Sequence, residues 1–270
     1  MNMKALITHL RPHLDDICGL WLLKRYFPEA RDASIDFIPT NERGGDVTDD
    51  PEVAYIGVGR GRFDEHKGDV GECATTLVYK EVAPHIADTL EKRAVEKIVE
   101  WVFQEDTGRL GTIPYRAFTV PSIIEGYFDG HDRDSHATTE FGFAMLDALI
   151  VMQRNQVLLE DDWKNRIEFD SRFGRAVAIV GNSRQMDSYA YAQGFPLVVI
   201  MQPGGTYHTI RASAASNTDL TTVYEELHRR EPEASWYFHH SKKMLICGGD
   251  HALTATPSKL SLQELIDLLK

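Results

Sequence analysis

Lys4-Ala5-Leu6-Ile7, then Thr8-His9-Leu10-Arg11-Pro12-His13-Leu14-Asp15-Asp16, then a largely apolar run from Ile17 to Phe27, is the stretch whose reading decides the fold. The first segment reads as a short buried strand and the last as a helix. Two imidazoles and two carboxylates therefore crowd the turn at which a strand hands over to a helix. In an open α/β sheet that turn lies at the carboxyl end of a strand, where such folds place their sites. Pro12 stiffens it, and the positive end of the helix dipole favours Asp15 and Asp16. Imidazole with carboxylate suits Mn, Zn or Fe better than an ion that takes oxygen alone. A plainer reading of the same residues makes Asp15 a helix cap and the histidines surface loop residues.

Two further clusters fall at element ends. Ser34 to Pro39 alternates as a second strand, Thr40 to Pro51 reads as a loop, and Val53 to Val58 reads as a third, buried strand. That third strand runs into Gly59-Arg60-Gly61-Arg62-Phe63-Asp64-Glu65-His66-Lys67-Gly68, where the glycines permit tight backbone. Helices are predicted over 72–82 and 86–103, the second ending in Gln104-Glu105-Asp106-Thr107-Gly108 with Gly108 as its stop. Asp106 thus sits where the helix dipole opposes a negative charge, which is more expected of a cation ligand than of a structural device. If strands one and three are neighbours in a parallel sheet, His9, His13, Asp15, Asp64, Glu65 and His66 open onto one edge. Such a set would hold two divalent cations that activate a water and polarise a phosphate oxygen. His66 would then contact the phosphate or protonate the leaving group. Arg60, Arg62 and Lys67 stand beside this cluster as phosphate partners, or as ordinary solvated charge.

The remainder supplies the frame. Residues 115–159 look helical, with Phe141, Met145, Leu149 and Met152 at core spacing. The run His131-Asp132-Arg133-Asp134-Ser135-His136 before them reads either as a metal site or as a solvated loop with an N-cap. After the charged stretch 161–172 a new β/α rhythm begins: strands at 176–180, 197–201, 207–212, 236–238 and 244–246, and helices at 183–193, 219–230 and 262–269. The fold class is therefore α/β, a parallel-sheet first domain over 1–160 and a smaller α/β domain over 175–270, with 161–174 as linker. Hydrophobic content of 43% and charged content of 26% fit a soluble globular chain. A net charge of −12 argues against a broad basic nucleic-acid footprint and leans towards a small or single-stranded substrate. Cys18, Cys73 and Cys247 are isolated and odd in number, hence reduced core thiols. With no signal-peptide pattern and no apolar run of membrane length, a cytoplasmic location is the expectation.

The sequence His9-x3-His13-x-Asp15, then Asp64-Glu65-His66 after a strand, then Asp106-Thr107-Gly108 after a helix, resembles the DHH phosphoesterase superfamily. Within it the likeness is nearest to the melanocyte proliferating gene (MYG) family of manganese-dependent exonucleases, whose final histidine and glycine turn Phe238-His239-His240-Ser241 and Cys247-Gly248-Gly249 also resemble. The resemblance implies that His9, His13, Asp15 and Asp106 are metal ligands and that Asp64 and His66 are the outer members of an Asp-His-His motif. Two positions depart from the pattern. Glu65 replaces the middle histidine, and Gly57 stands where a strand-three aspartate normally bridges both metals. A carboxylate at Glu65 still binds Mn or Mg.

The resemblance further implies Mn2+, one ion or two, with Mg2+ as an alternative. It implies a substrate-binding second domain, in which Gly204-Gly205 and Gly248-Gly249 bring backbone N–H groups to a phosphate and Arg211 or His251 adds a side chain. The same glycines also serve as plain hairpin turns. The expected activity is metal-dependent hydrolysis of phosphodiesters in nucleotides or short single-stranded nucleic acid. The alternative is a catalytically degenerate nucleotide-binding or regulatory protein, which Gly57 favours; pyrophosphatase chemistry ranks third. No membrane partner is expected, and a homodimer is left open.

Overall fold

The computed structural model describes residues 2–39, 50–68, 71–249, 252 and 254–270. The chain forms two compact units, Met1–Arg154 and Asn155–Lys270. Most of the loop expected over 40–51 lies outside the described residues.

The first unit is built on β1 (Ala5–His9), β2 (Ser34–Ile38) and β3 (Val53–Tyr55). They form a parallel sheet in the order β2-β1-β3, with His9 opposite Ile38 and Ile7 opposite Tyr55. β1 is central, so the chain passes to one side of it for β2 and to the other for β3. The crevice at such a reversal is where open α/β sheets place ligands. The sequence reading anticipates this parallel arrangement. β3 is shorter than predicted because the backbone turns left-handed at Gly57 (φ 63°) and Gly59 (φ 78°). Ile56 keeps only a single parallel bridge, to Phe63. That early departure carries residues 57–68 across the carboxyl edge of the sheet.

Helix α1 (Leu14–Tyr26) begins three residues earlier than its periodicity suggests. The His13 N–H donates to the Asp16 carboxylate at 3.0 Å, a local cap that recruits Leu14, Asp15 and Asp16 into the first turn. Every residue from Leu14 to Leu23 is buried. A helix buried on all faces needs neighbours on all faces, and α1 packs on α2 (Ala74–Val82), α3 (Thr89–Asp106) and α4 (Val120–Gly130). Two glycines let backbones approach it. A Cβ at Gly19 of α1 would lie 2.9 Å from Ile56, and a Cβ at Gly142 would lie 2.6 Å from Ile17. Gly142 belongs to α5 (Ser135–Lys164), whose residues through Arg154 fall in the first unit.

The helical region expected over 115–159 is interrupted. Asp132 and Arg133 adopt positive φ, and the Asp134 carboxylate accepts the His136 and Ala137 N–H groups at 2.8 and 3.1 Å. The histidine- and aspartate-rich run before α5 is thus a helix stop followed by an N-cap. His131 stacks on Tyr127 with ring centroids 3.7 Å apart.

The second unit holds β4 (Ile167–Ser171), β5 (Gly174–Val180), α6 (Met186–Ala192), β6 (Leu197–Met201), β7 (Tyr207–Ala212), α7 (Thr221–Arg230), β8 (Trp236–Phe238), β9 (Met244–Gly248) and α8 (Leu262–Leu269). Its sheet runs β4-β5-β6-β7-β9-β8, with β5 and β6 parallel and all other pairs antiparallel. Period-two alternation gives it two buried faces. Ala176, Ala178, Leu197, Val199 and Ile210 pack with residues of α7 and α8, while Val177, Ile179 and Val198 pack with Met186, Ala190 and Phe195. The linker expected at 161–174 is instead the last turn of α5 and strand β4, which pairs with β5. Charge misled the reading there: Glu168 and Asp170 lie on the exposed face of an edge strand, where charged side chains are ordinary. The three cysteines are buried and free.

The close approach of α5 to α1 makes Gly142→Val destabilising by about 1–3 kcal/mol, the usual range for overpacking. Gly126, in the middle of α4, has open space beyond its Cα. Gly126→Ala is expected to stabilise by about 0.5–1 kcal/mol through helix propensity. Thermal or urea unfolding of the two variants checks both signs.

Candidate functional site

β1 ends at His9 and α1 opens after His13, so the intervening turn projects both imidazoles at the carboxyl edge of the sheet. Their rings meet edge to face at 4.9 Å. His9 Nε2 lies 2.8 Å from Asp16 Oδ2, the oxygen that also accepts the His13 N–H. Ligand atoms of His9, His13 and Asp16 all fall within 4.8 Å of one another. Burial alone would lower the His9 pKa; the hydrogen bond and charge of Asp16 outweigh it, for a net rise.

Asp15 faces the other way from the same helical turn. Its two carboxylate oxygens accept the N–H groups of Ala74 and Thr75, each at 2.9 Å, at the start of α2. Thr75 returns a hydroxyl hydrogen bond to the Asp15 carbonyl at 2.7 Å. Burial, reinforced by Asp16, holds the Asp15 carboxyl above its ordinary pKa despite these bonds. Asp106, the last residue of α3, offers an oxygen within 4.8 Å of ligand atoms of Asp15 and Cys73. Burial, followed by the charges of Asp15, Asp16 and Glu105, pushes its carboxyl up to about 6.

The chain leaving β3 supplies the third group on a 3-10 turn, Glu65–Lys67. Asp64 is buried and turned inward. It accepts the Arg60 N–H at 2.5 Å, the His66 N–H at 3.0 Å and the His66 ring Nδ1 at 2.8 Å. Asp64 thereby fixes the His66 ring and leaves Nε2 as its available nitrogen. Burial lowers the His66 pKa, but the Asp64 hydrogen bond and the charges of Glu65 and Asp64 raise it further, for a net increase. Glu65 Oε2 is a buried oxygen with no hydrogen-bond partner. Burial, with Asp15 and Asp64 nearby, pushes the Glu65 carboxyl up to about 7.

One cavity of about 480 Å³ is lined by His9, Arg11, His13, Asp15, Asp16, Gly57, Glu65, His66 and Asp106. It brings together all five residues expected as metal ligands, with His66. Asp64, expected as a catalytic residue, does not line it and instead holds the His66 ring. Arg60 and Arg62 also stand outside its lining: Arg60 is an exposed residue at φ 54°, and the Arg62 guanidinium rests over the Phe63 ring at 4.5 Å. The Lys67 side chain lies outside the described residues. Asp16 and Arg11 are lining residues that the sequence reading did not select. The signal for Asp16 was its place three residues after His13, the spacing of a helix-capping pair. Arg11 also lines an adjoining cavity of about 250 Å³ with Pro121, Ile124 and Phe128.

In the second unit Arg211, Gly248 and Gly249 line a separate cavity of about 810 Å³. The Arg211 guanidinium is held by Asp187 at 2.8 Å and by the Tyr207 hydroxyl at 3.1 Å. Gly248, at φ 80°, would place a Cβ 2.1 Å from the Thr206 carbonyl oxygen, so the turn requires glycine. His251 lies outside the described residues.

Glu65 and Asp106 keep their protons more readily in the folded chain than in the unfolded one, where their reference pKa values are 4.5 and 3.8. Their stabilising contribution is therefore complete below about pH 4 and is lost as pH rises through about 6 and then 7. In a chelator, the thermal midpoint should fall across that window, and Glu65→Gln should flatten the slope. Added Mn2+ should raise the midpoint more at pH 8 than at pH 5, because cations bind the deprotonated ligands.

No family model and no curated protein matches this chain. Among solved structures, the chain is similar to a DHH domain described as belonging to a member of a family of ribosomal proteins, at 11% identity and a TM-score of 0.35, covering 99% of this chain and 85% of that one. It is also similar to RecJ from Thermus thermophilus, a structure in complex with Mg2+, at 13% identity and a TM-score of 0.31, covering 98% of this chain and 49% of RecJ. The chain thus spans about half the length of RecJ. Likenesses at these scores assign no residue role here. Among the described residues, no helix is long and apolar enough to cross a membrane.

Proposed function

We propose that this chain is a metal-dependent phosphoesterase that hydrolyses phosphodiesters in nucleotides or short single-stranded nucleic acid, with Mn2+ as the expected metal. The observation that carries the reading is Glu65 Oε2: a buried carboxylate oxygen without a hydrogen bond, in a residue that lines one cavity with His9, His13, Asp15, Asp16 and Asp106. A buried, unpaired carboxylate oxygen is costly unless a proton or a cation meets it. The surrounding nitrogen and oxygen donors suit a first-row divalent ion.

His9, His13, Asp15, Asp106 and Glu65 would hold the metal. When bound, a divalent ion supplies Lewis acidity towards a phosphate oxygen and lowers the pKa of a water. The protein's own contribution centres on His66. With Nδ1 held by Asp64 and its ring lining the cavity, it would offer a proton at Nε2 to a leaving oxygen, and the Asp64 and Glu65 carboxylates shift its pKa in the direction that favours the protonated ring. Arg11 brings a positive charge to the rim of an otherwise acidic cavity, where it offsets repulsion of a phosphate. The second unit's cavity, with Arg211 and the glycine turn at Gly248-Gly249, would serve as a substrate-binding module. The second reading, a nucleotide-binding protein without turnover, rests on Gly57, which contributes no side chain to the cavity.

The deciding experiment is Mn2+-dependent hydrolysis of a panel of dinucleotides, short RNA and DNA, and pyrophosphate. Asp106→Asn should lower phosphodiester turnover by roughly 100-fold or more, as expected of a ligand to a catalytic metal. Full turnover in that variant would remove Asp106 from the metal site. Mn2+ binding with no turnover on any substrate would favour the binding protein.

A further inference from the structure

Gly57 and Asp16 compete for one volume. Gly57 has φ 63°, and a Cβ built on it would lie 2.0 Å from Asp16 Oδ1 and 3.2 Å from Asp16 Cγ. The Asp16 carboxylate therefore already fills the space that a side chain at position 57 would enter. It arrives from the first turn of α1 instead of from the sheet. Asp16 is 3% exposed. Its Oδ2 faces His9 Nε2 at 2.8 Å, and its ligand atom lies within 4.8 Å of those of both His9 and His13.

We propose that Asp16 is a cation ligand, completing a His9–His13–Asp16 set, and that Gly57 is retained to admit its carboxylate. The inference rests on the reading that the cavity holds divalent cations. It turns the departure at position 57 from a lost ligand into a relocated one: a carboxylate enters the volume beside position 57 from a helix in place of a strand. The bond from the His13 N–H to Oδ2 explains the rotamer of Asp16 as a cap. It does not explain why the other oxygen occupies the space that a Cβ at position 57 would need while Asp16 is in place. A cap needs one acceptor atom; a ligand needs the negative charge.

The two roles separate in Mn2+ titrations of the full chain after chelation and buffer exchange, followed by calorimetry and by the electron paramagnetic resonance of free Mn2+. Asp16→Asn keeps the shape and an acceptor for the His13 N–H, so its metal-free thermal midpoint should stay within about 4 °C of wild type. Its Mn2+ affinity should drop about tenfold or more. Asp16→Ala loses cap and ligand together, and adding Gly57→Asp to it should regain most of the lost Mn2+ affinity without restoring the cap. Aspartate is among the few residues that accept a left-handed φ. Wild-type affinity in Asp16→Asn, or equal affinities for Asp16→Ala with and without Gly57→Asp, would overturn the proposal and leave the metal reading standing. Failure of the wild-type chain to bind Mn2+ would overturn both.

Discussion

Asp15 and Asp16 are adjacent carboxylates buried in the first turn of one helix, 5% and 3% exposed. Two like charges in a poorly solvated place demand compensation, and the architecture around α1 supplies it in two directions. Asp15 takes two backbone N–H groups from the start of α2, which ties α1 to α2 and benefits from that helix's dipole. Asp16 takes His9 and the His13 N–H, which ties α1 back to the end of β1. The helix is locked between its neighbours by the same groups that make the cavity negative. Asp106 and Glu65 arrive from α3 and from the chain after β3, Glu65 with one oxygen near the His66 ring and the other without a hydrogen bond, and their raised pKa values register burial and crowding. The frame satisfies part of the carboxylate set and leaves the rest to protons or cations.

Much of this was legible in the chain because it depended on local order. Short apolar runs marked β1, β3 and β6, alternation marked β2, and clusters of His, Asp and Glu after β1 and β3 marked the cavity. Once β1 and β3 pair in parallel, those clusters meet without further assumption. Asp16 was counted among the carboxylates of the turn but left out of the ligand set, its charge credited in part to the helix dipole. Its approach to Gly57 is a contact between segments about forty residues apart that no periodicity encodes. Arg60 and Arg62 were selected for proximity in sequence to His66, yet a left-handed residue at Arg60 and a ring beneath Arg62 take them elsewhere. The stretch 161–174 looked like a linker because an edge strand and a helix end carry charge for the same reason a linker does: both face water.

In the second unit the glycine turn after β9 illustrates how one residue type answers two questions. Gly248 is demanded by its backbone angle and by the Thr206 carbonyl, so its presence alone says nothing of a ligand. What gives the turn interest is that it borders a sizeable cavity with an arginine already held in place by Asp187 and Tyr207. An anchored guanidinium loses little side-chain entropy on meeting an anion, an advantage over a free surface arginine.

The burial of α1 from Leu14 to Leu23 has a mechanical consequence. Its first turn belongs to the part of the fold that opens only when the whole unit unfolds, so His13, Asp15 and Asp16 form a stiff wall. The facing wall is a single 3-10 turn whose His66 side chain is 69% exposed and which closes on Gly68 at φ 110°. A buried helical turn and an exposed 3-10 turn therefore line one small cavity together. Under the proposed function, the groups that would keep fixed spacing come from the buried turn, and the group that would follow a departing oxygen comes from the exposed one.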